Sequence, residues 1–286
     1  LLRHDAEPAQ GLREVWSLRH ERELMAAVAA HPFVAEVALL VDYDDLWALE
    51  IQPHRQDFHY LRHLYVFYDA LQKMGVAVDL VPIDRDLSPY RLVLAPTLHL
   101  ADEPRAAALS AYVEAGGTLL LGVRSGFKTA TNLVTDHPLP GVLRELCGVT
   151  VTTWQPLPDG AGISLEASVP ALEGPATYWY ETLATERASA LAHYDSGEAA
   201  LTENAVGQGR VVTLGWYPTP GQAGALLRWL LDKAGVQPGL TPPDGCLAFR
   251  RGTYTIVLNF TDEPRMAAID GATVEVRPRD LVVRRS

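Results

Sequence analysis

The sequence is short of the residues that several kinds of chemistry require. Only two cysteines occur among 286 residues, Cys147 and Cys246, far apart in the chain. That excludes a disulfide framework and a thiolate metal site, and the expectation is a reducing, cytoplasmic compartment. Cations are outnumbered, with 24 Lys and Arg against 35 Asp and Glu and a formal net charge of −11. They are scattered, whereas binding phosphates needs them clustered, so no nucleic-acid partner is expected. No apolar run approaches the roughly 18 residues of a membrane span, and no charged-then-apolar leader opens the chain, so no membrane partner is expected. No Gly-x-Gly-x-x-Gly or Walker loop follows any candidate strand, and no cofactor is expected. The first residue is Leu1, not methionine, which leads us to expect an upstream segment in which a targeting signal could lie.

What the chain does have is apolar content, 48% of its residues, enough for one large domain and a small one. Tyr90-Arg91-Leu92-Val93-Leu94-Ala95-Pro96 is a continuous apolar run closed by proline, the pattern of a parallel strand covered on both faces. Similar runs lie at 37–41, 76–81, 118–121 and 210–214. Helical spacing separates most of them. A long helix is expected over 12–30, ended by His31-Pro32, and a second over 58–71, stopped by Gly75. A third has Asp102 as its N-cap and ends at Gly116-Gly117; a fourth, over 223–234, is closed by Gly235. The fold class predicted is α/β, a doubly wound, mostly parallel sheet. Between 124 and 209 the alternation gives way to short β segments at 149–154, 163–169, 176–180, 190–194 and 199–202, read as an inserted antiparallel layer. Beyond the Pro- and Gly-rich stretch 238–245, strands at 253–260, 272–276 and 281–285 predict a small antiparallel β domain.

Ligands of such sheets bind at the carboxyl ends of the strands, and four groups of residues are candidates for chemistry there or elsewhere in the chain. Asp42, Asp44 and Asp45 follow the first strand and could offer oxygens to a divalent cation. Ala95-Pro96 stands where a partner carboxylate would close the central strand, so the reading is a solvated acidic loop and no metal. Gly122-Val123-Arg124-Ser125-Gly126 has the glycine spacing of a nucleophile elbow. Arg124 holds the centre and Ser125 is one residue off, so the position is degenerate and a structural turn is expected. His59 and His63 lie one helical turn apart but lack the glutamate of a hydrolytic zinc motif, and they read as partly exposed surface residues. Trp47, Trp154, Tyr178, Trp179, Tyr180, Trp216 and Tyr217 could stack on sugars, but aromatics at this density more often fill a core or an interface.

The order of the segments resembles the C-terminal part of a glycoside hydrolase family 42 β-galactosidase. The matching residues are Arg13-Glu14-Val15, Trp47-Ala48-Leu49-Glu50, Val78-Asp79-Leu80-Val81, the run from Leu87-Ser88-Pro89 to Pro96, and Gly116-Gly117-Thr118-Leu119. They continue with Leu139-Pro140-Gly141-Val142-Leu143, Gly148-Val149, Asn204, Gly207, Gly209 and Asn259. The resemblance implies a class I amidotransferase-like trimerisation domain over 31–235, a small β domain over 240–286, and in 1–30 the passage from a catalytic (β/α)8 barrel. It implies a homotrimer, and a β-galactoside substrate held by the barrel, where two glutamates about 5 to 5.5 Å apart perform retaining hydrolysis. No such barrel is present in this sequence. Glu14, Glu50 and Glu181 are therefore not assigned as catalytic, and the chain alone is expected to be inactive. Trp47, Glu50 and His54 are expected to border a neighbour's active site. The alternative is a self-standing amidotransferase-like scaffold or binding protein with no nucleophile.

Overall fold

The computed structural model describes residues 2–55, 58–167 and 172–285. Two compact units make up the chain, one spanning Ala35–Thr241 and the other combining Leu1–Val34 with Pro242–Ser286. In the second unit, helix α1 (Gln10–Ala29) has no side-chain N-cap, and Val15, Trp16, Leu24 and Met25 of its expected apolar stripe are exposed.

The larger unit opens with β1 (Val37–Leu40), α2 (Tyr43–Ile51), α3 (Tyr60–Lys73), β2 (Val78–Val81), β3 (Leu92–Ala95), α4 (Glu103–Glu114) and β4 (Thr118–Leu121). A short helix α5 (Arg144–Cys147) leads into β5 (Val149–Pro156), β6 (Leu165–Ala167), β7 (Thr177–Thr185), β8 (Ser189–Tyr194) and β9 (Ala199–Val206). Then come β10 (Gly209–Leu214), β11 (Trp216–Tyr217) and α6 (Pro220–Ala234). The parallel ladder runs β2-β1-β3-β4-β10, with β3 at its middle and Leu94 in register with Leu39 on one side and Leu120 on the other. Alternate side chains of these strands enter separate cores because successive residues point to opposite faces. Leu39, Leu94 and Leu120 pack with Phe67 and Leu71 of α3 and Leu226 and Leu230 of α6, whereas Leu40, Val93 and Leu121 pack with Leu109 and Val113 of α4. Burial on both faces is why these runs read as continuous.

The helix ends follow their sequence signals. The Asp102 side chain accepts from Arg105 N, Thr219 and Gln222 form a capping box on α6, and Gly75 and Gly235 take the left-handed conformation after α3 and α6.

Two expectations need correcting. The sheet is mixed, not mostly parallel, and the segments after β4 do not form a separate layer. Among the described residues they extend the same sheet to eleven strands, through β9 paired antiparallel to β10. The reason is local: Gly207-Gln208 joins β9 to β10 in a tight hairpin with Gly207 at φ 58°, and a hairpin sets its strands antiparallel. Of the strand expected over 163–169, the structure gives Leu165–Ala167; residues 168 and 169 lie outside the described residues.

In the smaller unit, β12 (Cys246–Arg251), β13 (Tyr254–Asn259) and β16 (Leu281–Arg285) form one antiparallel sheet. A separate hairpin joins β14 (Arg265–Ile269) to β15 (Ala272–Val276). Asn259 ties the two together: its Nδ2 lies 2.7–3.1 Å from the carbonyls of Glu263, Val276 and Arg277, and its Oδ1 accepts from Thr261 N.

Leu94 is fully buried at the centre of the ladder and Leu80, on the edge strand, is 58% exposed. Leu94→Ala should lower the unfolding free energy by roughly 2–5 kcal/mol and Leu80→Ala by less than about 0.5 kcal/mol, measured by urea titration. Equal losses would contradict the placement of β3.

Candidate functional site

Strands β1 and β3 are neighbours from which the chain departs in opposite directions, which makes the space beyond their carboxyl ends the switch point of the sheet. Three pieces of chain meet there: the start of α2, residues 96–101, and the 122–126 turn.

The acidic group is not the solvated loop expected. It is the first turn of α2, where carboxylates complement the helix dipole. Asp42 is the N-cap, accepting from Asp44 N at 2.8 Å and pairing with Arg105 Nη2 at 2.8 Å. Asp45 is fully buried; its Oδ1 accepts from Leu100 N at 2.7 Å, while Oδ2 has no partner among the described residues. Burial, helped by the nearby Asp42 charge, pushes the Asp45 carboxyl up to about 7. Among the described residues no three His, Cys, Asp or Glu side chains converge in metal-binding geometry.

The glycine-spaced turn has a left-handed centre but neither the following helix nor the chemistry of an elbow. Arg124 sits at φ 63°, a left-handed conformation that a non-glycine residue holds only under constraint. Ser125 offers no nucleophile: its buried hydroxyl donates to Gly122 O at 2.8 Å and accepts from Leu98 N at 3.0 Å. The Arg124 side chain is fully buried, with its guanidinium 4.9 Å from the ring centres of both Phe58 and Trp179. Nη1 donates to Pro53 O at 2.7 Å, and Nη2 to Gln52 O at 3.1 Å and His54 Nδ1 at 2.9 Å. His54 Nδ1 also lies 3.1 Å from Gln52 O, and partial desolvation and then the Arg124 charge lower its pKa against that contact.

Arg124 is also held through its backbone. Its N–H donates to Glu181 Oε1 at 2.7 Å, and its carbonyl accepts from His99 Nδ1 at 3.0 Å. Glu181 Oε1 takes a second bond from Trp179 Nε1 at 2.8 Å. Burial pushes Glu181 up to about 7, against those two donors and the Arg124 charge, and lowers Arg124 to about 10. Neither Glu181 nor His99 was singled out as part of a site from sequence. The available signal was a lone carboxylate inside the aromatic strand Thr177–Thr185.

The remaining candidates separate. His63 is core, not surface: it stacks on Tyr217 with centroids 4.2 Å apart, and burial lowers it to about 3, while His59 is exposed at the N-cap position of α3 with no side-chain cap bond. Trp179, Trp216 and Tyr217 are buried, and Trp154 stacks on Trp179 at 5.6 Å. Trp47, Glu50 and His54 are all exposed; Trp47 and Glu50 share one face of α2, and His54 follows its end.

With this geometry in view, comparison with known proteins is decisive. Residues 35–237 match the model of the beta-galactosidase trimerisation domain. The chain belongs to the glycoside hydrolase family 42 β-galactosidases. It is 38% identical over 281 residues to the beta-galactosidase BgaH of Haloferax lucentense, covering 96% of this chain and 41% of that protein. Against the beta-galactosidase of Thermus thermophilus the identity is 35% over 291 residues, covering 99% and 43%. The solved beta-galactosidase of the Antarctic haloarchaeon Halorubrum lacusprofundi superposes with a TM-score of 0.86 at 36% identity, covering all of this chain and 44% of that one. The family member described here thus spans less than half the length of these relatives.

In the trimerisation domain Asp45 titrates near 3.8 when unfolded and near 7 when folded. Its contribution to stability is therefore fully present below pH 3.8 and is lost as pH rises to about 7. Asp45→Asn keeps the acceptor for Leu100 N but does not titrate. Relative to the unmodified chain it should gain up to roughly 3 kcal/mol between pH 4 and 7.5, at about 1.36 kcal/mol per pKa unit, read from urea titrations across that range. A difference that does not change with pH would contradict this assignment.

Proposed function

We propose that this chain is the assembly portion of a retaining β-galactosidase, non-catalytic by itself. The reading extends to its homotrimer and to terminal β-galactosides as the substrate of a barrel elsewhere in the parent enzyme. The observation that carries it is the trimerisation-domain match over 35–237. We assign 1–30 to the passage from the barrel, 31–235 to assembly and 240–286 to the small β domain. A class I amidotransferase-like origin is supported by the parallel ladder and by the left-handed Arg124 in the turn that follows one of its inner strands.

An exposed apolar face supports the assembly role. Tyr43, Trp47 and Ile51 recur every four residues along α2 and are 64%, 56% and 76% exposed. α3, packed beside α2, adds Leu61 and Tyr65, also exposed. Contiguous exposed apolar residues of this size mark interaction surfaces more often than free ones. Trp47 and Glu50 lie on or beside this face and His54 at its end, and we assign them to the border of a neighbouring copy's active site.

Ile51→Glu places a charge in that face without touching the core. It should reduce the sedimenting species to the 31.3 kDa monomer while the circular dichroism spectrum stays unchanged. An unaltered assembly would remove the face from the interface. The purified chain should also show no hydrolysis of an aryl β-galactoside, and turnover would overturn the non-catalytic reading.

A further inference from the structure

The end of α2 is not secured by its own sequence. Its last turn contains no basic residue, and Gln52, the C-cap, leaves helical geometry at φ −140°. His54, two residues on, is left-handed at φ 60° without being glycine. The carbonyl of Gln52, as C-cap, is among the unsatisfied acceptors of the helix end, and that of Pro53 follows it; a nearby cation stabilises both. That cation comes from 70 to 72 residues away: the Arg124 guanidinium donates to both carbonyls and lies 2.9 Å from His54 Nδ1.

Resting on the reading of this edge given above, we propose that Arg124 is its positioning residue, fixing where Trp47, Glu50 and His54 stand on the surface that receives a second copy of the chain. The planar fork of a guanidinium can hold two carbonyls and a ring nitrogen at once, which the single ammonium of lysine cannot do in the same geometry. Phe58 and Trp179 leave it little freedom to swing. Glu181 and His99 fix its backbone from behind, so strands β4 and β7 set the position of a turn on the surface. The strained turn that in an amidotransferase would present a nucleophile here presents a cation to a helix end.

Hydrogen–deuterium exchange of Arg124→Met and Arg124→Lys, followed by mass spectrometry, tests this. Arg124→Met should speed exchange across residues 50–55 by about tenfold or more, leaving 92–95 and 118–121 unchanged, and Arg124→Lys should fall between. Unchanged exchange at 50–55 in Arg124→Met would overturn the proposal. If that variant does not fold, the unmodified chain labelled with 15N-arginine gives the answer. One guanidinium with resolved, slowly exchanging Nη protons is expected, and uniformly averaged signals would refute it. Exchange decides the positioning while the mass of the Ile51→Glu variant decides the use of the edge, so the two ideas fail separately.

Discussion

The contact on which the larger unit depends is that between Glu181 and Arg124. One carboxylate oxygen on the antiparallel strand β7 accepts the backbone N–H at the end of the parallel strand β4. It joins the two halves of the mixed sheet at a left-handed, non-glycine residue. Buried polar groups are worth most when fully partnered, and the arrangement nearly achieves this: among the described residues only Arg124 Nε and His99 Nε2 lack partners in the cluster.

From that contact the functional character follows. A nucleophile at the centre of an elbow needs an exposed side chain and space for a substrate beside it. Arg124 is fully buried between two aromatic rings, and Ser125 has its hydroxyl committed in both directions. The carboxyl ends of the strands, where folds of this kind keep their chemistry, are filled by side chains that hold the α2 edge in place. The surface is where the apolar residues remain available, on Tyr43, Trp47 and Ile51, which suits assembly better than catalysis.

The parallel strands were legible because burial on both faces leaves an uninterrupted apolar run, and the ends of α3, α4 and α6 because Gly75, Asp102 and Gly235 announce them. α2 was missed, although Asp42 with Asp44 and Asp45 is an N-cap followed by first-turn acids; the same residues also fit an acidic loop. β12 and β14 were missed: Cys246–Arg251 and Arg265–Ile269 contain no Val, Thr, Tyr or Trp and, apart from Phe249 and Ile269, none of the β-branched and aromatic residues that mark a strand. The role of the Arg124 side chain was out of reach, since its hydrogen-bond partners lie 70 to 72 positions away and only the folded chain brings them together.

Light scattering on the unmodified chain over a range of concentrations tests the central claim most directly. Assembly through this domain predicts a mass near three times 31.3 kDa, about 94 kDa, as expected of a closed ring of three. A mass of 31.3 kDa at every concentration would contradict it.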